Sequence, residues 1–476
     1  MKKITVIALL SSLFFAGCQD FLTEDPRLDQ TTDLTLSTYS GLDSSIAGAY
    51  SPLASSTWYG CYFVLDSEMR AGNAKRPTSS AFGSGRMTTP YFMTYNESST
   101  VDIWSDAYYV ISAANNVLEN VDAIELSSEV SQQDLDNIKA EALFLRAFCH
   151  FDLVRTYAHS YAKDANGMGV PIILYTDKTA TEQPARNTVA EVYTQIIADL
   201  KEAETLMDAS YCRDFSDAKA SITLPAIQAL LSRAYLYTQQ WQNAADYATT
   251  VINSGDFTLW TADELADADT WGADLPSSGE VIFEIYAATG NSYDGYWEST
   301  SYMTNPEGYG DCAASSDLAD LYEDSDVRGT LFRTDSANES GGELWTTRFP
   351  GKGKSTPDVN NTIILRLSEM YLTRAEALAN GASISGASAL TDLNTIATRC
   401  GASAYTAAGN SNILLERRKE LAYEAHYWFD MARTSSSLSY SDAAVTRELS
   451  STAGLWAMPL PKSELDVNKN LVQNVY

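Results

Sequence analysis

The chain has 476 residues, with 32 Lys and Arg against 62 Asp and Glu, giving a formal net charge of −30. That acid excess argues against nucleic acid as a partner, since phosphate binding draws on Lys and Arg, and against docking by charge on an anionic membrane face. A hydrophobic fraction of 45% is too high for a disordered chain and is enough for a large core.

Met1-Lys2-Lys3 opens the sequence, followed by an apolar run from Ile4 to Phe15 and then Ala16-Gly17-Cys18. A basic start, a short apolar stretch and small residues describe a secretory signal peptide over residues 1–17. The run falls short of the ~20 apolar residues that a spanning helix needs. Cys directly after Ala-Gly is similar to a bacterial lipobox, so Cys18 is the expected lipidation site and the first residue of the mature chain. Acyl chains anchor by burying CH₂ groups, at ~0.8 kcal/mol each. Residue 19 is Gln, and an acidic tether follows at 20–26, which suits a surface lipoprotein of a Gram-negative outer membrane. Six Cys are present without a C-x-x-C. Lipidation of Cys18 would leave an odd number, so neither a disulfide framework nor a Cys-based zinc site is expected. Cys149 and Cys400 read as small core hydrophobes.

Residues 56–100 lack a helical period and are rich in Gly, Ser, Thr and Tyr. Apolar periodicity then predicts helices over 103–121, 135–158, 189–207, 223–239 and 241–252. The second is apolar over so wide a face that it is expected to pack on two sides. Residues 255–361 form an irregular stretch with strand candidates at 281–286 and near 344–349. Helices are expected again over 364–380, 387–399 and 413–432. Three of the helices share an apolar-x-x-Arg-Ala core at Arg146-Ala147, Arg233-Ala234 and Arg374-Ala375, and Ala244, Ala245 and Ala248 recur at helical spacing. Small residues at such places let paired helices approach closely, as in tetratricopeptide units. The copies are not evenly spaced, so these are helix pairs with large insertions, not a regular solenoid.

Enzyme patterns are absent. The three histidines, His150, His159 and His426, form no His-Glu-x-x-His, and there is no Gly-x-Ser-x-Gly. Gly353-Lys354-Ser355 lacks the upstream Gly of a phosphate loop. Asp164-Ala165-Asn166-Gly167 begins like a calcium loop but lacks the Glu at its twelfth position. No cofactor is expected, although a structural Ca²⁺ is compatible with this acidity. The aromatics are more informative. Tyr91, Phe92, Tyr95 and Asn96 cluster just before the helix at 103. Tyr293, Tyr296, Trp297 and Tyr302 cluster among Gly and Ser, where helical packing does not require them.

Several blocks in order resemble the SusD/RagB family of outer-membrane nutrient-binding lipoproteins. They are Cys18-Gln19-Asp20-Phe21-Leu22, the Trp104 to Asn115 helix, and Ala140 to Phe148 with Phe151 to Tyr157. Then come Gly169-Val170-Pro171-Ile172, Arg366 to Ala377, Glu416 to Glu424, and Trp428-Phe429-Asp430 with Arg433. The C-terminus ends Gln473-Asn474-Val475-Tyr476, where relatives often carry Gln-Asn-Pro-Gly-Tyr. The resemblance implies a mainly α fold: tetratricopeptide-like helix pairs as a scaffold, with an irregular, loop-rich lobe containing a few short strands. Residues 18–476 would form one domain, with scaffold at about 40–55, 101–254 and 362–434 and a variable insert at about 255–361. It implies no enzymatic activity and a SusC-like TonB-dependent transporter as partner, to which a captured oligosaccharide, or alternatively a peptide, is delivered. The family places ligand contacts just before the first long helix and in the central insert. The expected ligand-binding set is therefore Arg70, Asn73, Tyr91, Tyr95, Asn96, Tyr293, Tyr296 and Trp297.

Overall fold

The computed structural model describes residues 32–79, 82–176, 183–215, 217–272, 279–287, 296–334, 342–352 and 358–476. Eleven helices of seven or more residues carry the architecture among these residues: α1 (Tyr39–Ala49), α2 (Tyr62–Ala71), α3 (Trp104–Asn120), α4 (Gln132–Tyr157), α5 (Val189–Leu206), α6 (Leu224–Tyr237), α7 (Trp241–Ser254), α8 (Leu367–Ala379), α9 (Ala389–Arg399), α10 (Asn410–Glu420) and α11 (Tyr427–Arg433). The fold is mainly α, as expected. From α3 to α9 each helix packs on the next, which is the stacking of a repeat scaffold. Capping boxes start α4 at Ser131 and α5 at Thr188. In α4 every residue from Ala140 to Tyr157 is buried, so this helix packs on all sides.

The repeated Arg-Ala core has a structural purpose. Arg146 on α4 makes a bidentate pair with Asp199 on α5, at 2.8 and 2.7 Å, and Arg374 on α8 pairs in the same way with Asp392 on α9, at 2.7 and 2.8 Å. Arg233 on α6 reaches instead to Glu369 on α8, at 2.7 and 2.6 Å, and so links two helix pairs. Forked guanidinium–carboxylate contacts fix both distance and orientation between helices.

The lobe holds a four-stranded antiparallel sheet in the order β1 (Ala74–Lys75), β3 (Ala313–Ala314), β5 (Leu344–Thr346), β4 (Phe332–Thr334). Its register sets Lys75 opposite Ala313 and Arg333 opposite Trp345. β2 (Val281–Ile285) pairs with β6 (Thr362–Arg366), and β7 (Leu438–Ser441) with β8 (Thr446–Leu449). All five residues of β2 are buried. Phe283 lies edge-on to Phe144 of α4 at 5.6 Å, which docks the lobe on the scaffold.

Three expectations need correction. Residues 364–366 are not helical: they belong to β6, where Thr362, Ile363 and Ile364 follow β preference and pair with β2. The helix expected over 413–432 is two helices, α10 and α11. Tyr423 and Ala425 adopt left-handed backbone (φ 63° and 58°), and this turns Glu424 toward Arg348 and Arg366. The stretch 56–100 contains α2. Every residue of α2 from Phe63 to Ala71 is buried, Asp66, Ser67, Glu68 and Arg70 included, so the helix has no polar face to betray its period.

Candidate functional site

The expected ligand-binding residues divide sharply by burial. Arg70 and Asn73 are 0% exposed. The Arg70 guanidinium is 4.5 Å from the Trp428 ring centroid and 5.7 Å from that of Tyr95. Asn73 donates to Glu68 Oε2 at 2.7 Å and accepts from Arg418 Nε at 2.8 Å. Tyr91 and Tyr95 are also core residues. Their hydroxyls donate to Asp442 at 2.6 Å and Asp66 at 3.4 Å. These four side chains join α2 to the C-terminal part of the fold, and none presents a surface to a ligand. Asn96 is exposed and its Oδ1 accepts from Ser98 N at 2.9 Å in a turn. Tyr293 and the Tyr296 side chain lie outside the described residues. Trp297 is 44% exposed.

Burial also shifts the acids in this region. It is the main cause that pushes Asp66 up to about 6, against the favourable charge of Arg70 and the Tyr95 hydrogen bond. It pushes Glu68 up to about 7, although Asn73 and the backbone of Tyr423 and Ala425 donate to it. His150 is held down at about 4, first by burial. It sits in the core with Nδ1 at 2.9 Å from Arg146 O, so it has no route to a substrate.

Around Trp297 a surface is built from two segments, 82–88 and 296–311. The second begins with the turn Tyr296–Glu298 and the short helix Thr300–Thr304, whose cap is Ser299 Oγ accepting from Tyr302 N at 3.1 Å. Thr300 N donates to Gly60 O at 3.0 Å, which pins the helix beside α2. The chain then reverses so tightly that Tyr309 N donates to Tyr302 O at 2.9 Å. A Cβ at Gly308 would lie 2.3 Å from Tyr302 O, so the reversal needs glycine there. It stacks the Tyr302 and Tyr309 rings edge to face at 5.0 Å.

The first segment is laced onto the second. Gly83 N donates to Tyr309 O at 3.0 Å and Gly85 N to Asp311 Oδ1 at 3.0 Å, while Ser84 Oγ donates to Asp311 Oδ2. This lacing places Arg86 over Tyr309, with its guanidinium carbon 4.1 Å from the ring centroid. Arg86 Nε donates to Glu298 Oε1 at 2.9 Å. The Tyr62 hydroxyl, from the start of α2, donates to Glu298 Oε2. Tyr302, Tyr309, Arg86 and Glu298 thus form one aromatic and polar group, and the exposed Trp297 precedes Glu298 in the chain. Phe92, 40% exposed, ends the short helix Thr88–Phe92 that also carries Tyr91, with Arg76 5.9 Å from its ring centroid. Trp297 and Tyr302 were visible in the sequence. Arg86 and Tyr309 were missed, and their signal was the Gly-rich spacing on either side, Gly83-Ser84-Gly85-Arg86 and Gly308-Tyr309-Gly310.

Among the described residues no helix is long and apolar enough to cross a membrane, and no group of His, Cys, Asp or Glu is arranged to hold a metal ion.

Comparison with known proteins yields consistent likenesses. A family model described as SusD-like, starch-binding and associating with the outer membrane matches residues 20–236, and the SusD family model matches residues 349–476. A SusD-like protein of Formosa agariphila, P2, is 25% identical, with 99% of this chain and 98% of that one covered. A SusD-like protein of Bacteroides ovatus is 24% identical over 90% of this chain and 82% of its own. Among solved structures, a putative sugar binding protein of Bacteroides vulgatus superposes with a TM-score of 0.81 at 29% identity, covering 92% of this chain and 98% of that one. A SusD superfamily protein of Bacteroides thetaiotaomicron gives 0.80 at 28% identity, covering 92% and 100%.

Proposed function

The chain belongs to the SusD/RagB family, and from that premise we propose that it captures a glycan at the surface of residues 82–88 and 296–311 and delivers it to a TonB-dependent outer-membrane transporter. The activity is binding, not catalysis. The observation that carries the reading is the Tyr302–Tyr309 ring pair with Arg86 stacked over Tyr309 and ion-paired to Glu298, next in sequence to the exposed Trp297. A sugar ring has a C–H face that stacks on an aromatic ring, and its rim of hydroxyls needs donors and acceptors together. Aromatic faces with a few placed polar groups are the composition of a small-ligand site. One of the similar structures, at 29% identity, is of a protein named as a putative sugar binding protein. In this reading Cys18 carries the lipid and the outer membrane holds the chain by it.

The test is calorimetric titration of the lipid-free mature chain with a panel of soluble polysaccharides and with peptide digests. Trp297→Ala and Tyr309→Ala should each weaken binding of the recognised glycan by about 1–3 kcal/mol, the scale of uncovering an aromatic contact. Unchanged affinity in both variants, or binding of peptides alone, would overturn the assignment.

A further inference from the structure

The charges at this surface say which glycans fit it. Arg86 is committed to a carboxylate: its Nε donates to Glu298 at 2.9 Å, and its guanidinium lies over Tyr309. Its two terminal nitrogens have no hydrogen-bond partner among the described residues. Glu298 accepts from Arg86 and from Tyr62. The pair therefore presents N–H donors next to carboxylate lone pairs, at zero net charge. The other charges of the two segments are negative. Asp311 lies beneath the 84–85 turn, and Glu307 is exposed at the reversal. Lys75, on the neighbouring strand, is neutralised by Glu343 at 2.7 Å. The whole chain adds a field of −30, and summed charge of that size repels like-charged ligands over a Debye length. A polyanion needs cations that have no internal partner, and segments 82–88 and 296–311 carry none; Arg76, outside both segments, has its guanidinium 5.9 Å from the Phe92 ring centroid.

We infer that the ligand is a neutral glycan, and that the Arg86–Glu298 pair excludes uronate-bearing and sulfated polymers while reading the vicinal hydroxyls of a neutral sugar. The inference rests on the glycan reading above and narrows it. Each half of the pair has a part. The free guanidinium N–H groups donate to one hydroxyl oxygen, and the Glu298 carboxylate accepts from the next.

The experiment titrates the lipid-free chain with neutral polysaccharides (amylopectin, galactomannan, arabinoxylan) and anionic ones (polygalacturonate, chondroitin sulfate), at about 0.02 M and about 0.5 M NaCl. A neutral polymer should bind with affinity changed less than about twofold by salt, because screening acts on ionic contacts. Glu298→Gln should weaken that binding by about tenfold, the loss of one charged hydrogen bond, and should let polygalacturonate bind at low salt through the released Arg86. Arg86→Gln should weaken neutral binding without any gain for the anionic polymers. Thermal melts of both variants should match that of the unaltered chain, which separates a loss of binding from a loss of fold. If the unaltered chain binds an anionic polymer, with affinity falling about tenfold or more as salt rises, the inference is overturned and the glycan reading stands. If Glu298→Gln gains nothing for polygalacturonate, the role of the ion pair is overturned. If only peptides bind, the glycan reading itself fails, and the inference with it.

Discussion

Arg70 sits between the Trp428 and Tyr95 rings with no exposed surface, which makes its truncation a matter of stability. Arg70→Ala removes two cation–π contacts and opens a void, and should cost about 2–4 kcal/mol in denaturant unfolding. The folded variant should keep its glycan affinity within about twofold. Loss of affinity with unchanged stability would return Arg70 to the ligand site. Glu68 permits a pH test. Its folded value, raised by burial to about 7, lies above the ordinary 4.5. Between those values the native state holds a proton that the unfolded chain has released, so stability falls as pH rises through the window. Asp66, raised to about 6, adds to the same slope. Glu68→Gln carries no such proton, so its unfolding midpoint should drop less between about pH 4.5 and about pH 7. Parallel slopes in the two proteins would contradict the buried, proton-holding carboxyl. The sequence could nominate Tyr91, Tyr95, Arg70 and Asn73 by type and position. It could not tell that α2 turns inward on every side, because burial of a polar residue leaves no periodic mark.

At the scale of elements, the break between α10 and α11 is set by two residues other than glycine in left-handed backbone, Tyr423 and Ala425. A β-carbon there costs roughly 1–2 kcal/mol, and glycine avoids the clash at some cost in unfolded-state entropy. Ala425→Gly should therefore leave stability unchanged or raise it by up to about 1 kcal/mol, read as a shift in the urea midpoint. A clear loss of stability would mean that the Ala425 methyl packs more than the strain costs. The break escaped the sequence because 413–432 carries apolar residues at helical spacing and no Gly or Pro. What overrides that spacing is the pull of Arg348 and Arg366 on Glu424, a contact across more than fifty residues. Scaffold helices such as α5 and α7 were legible because each buries a periodic face, and α4, buried on all sides over most of its length, because its apolar run is far too long for a strand. The short strands of the lobe were less so: β1, β3 and β4 have two or three residues each and pair only through distant segments.

At the scale of the molecule, lobe and scaffold share one buried ionic centre. Glu280 and Arg328 come from the lobe region, and Arg366, Arg399, Glu416 and Glu420 from the scaffold side. Burial alone would raise the Glu420 carboxyl, but the guanidinium groups of Arg399, Arg366 and Arg328 outweigh it and hold the group well below its usual range. A carboxylate depressed in this way contributes stability above its unfolded value and loses it as pH falls toward the folded one. This centre joins the lobe to the scaffold, while segments 82–88 and 296–311 are held by the Thr300–Gly60, Gly83–Tyr309 and Gly85–Asp311 hydrogen bonds. The family and the mainly helical fold were readable from blocks spread along the chain. The binding surface was readable only in part, since the sequence marks aromatics among glycines but not which of them the folded lobe exposes. The most direct measurement is amide hydrogen exchange of the lipid-free chain with and without a saturating oligosaccharide of the recognised glycan. The account predicts protection concentrated at 82–88 and 296–311 with the scaffold helices unchanged. Protection elsewhere, with these two segments unaffected, would contradict it.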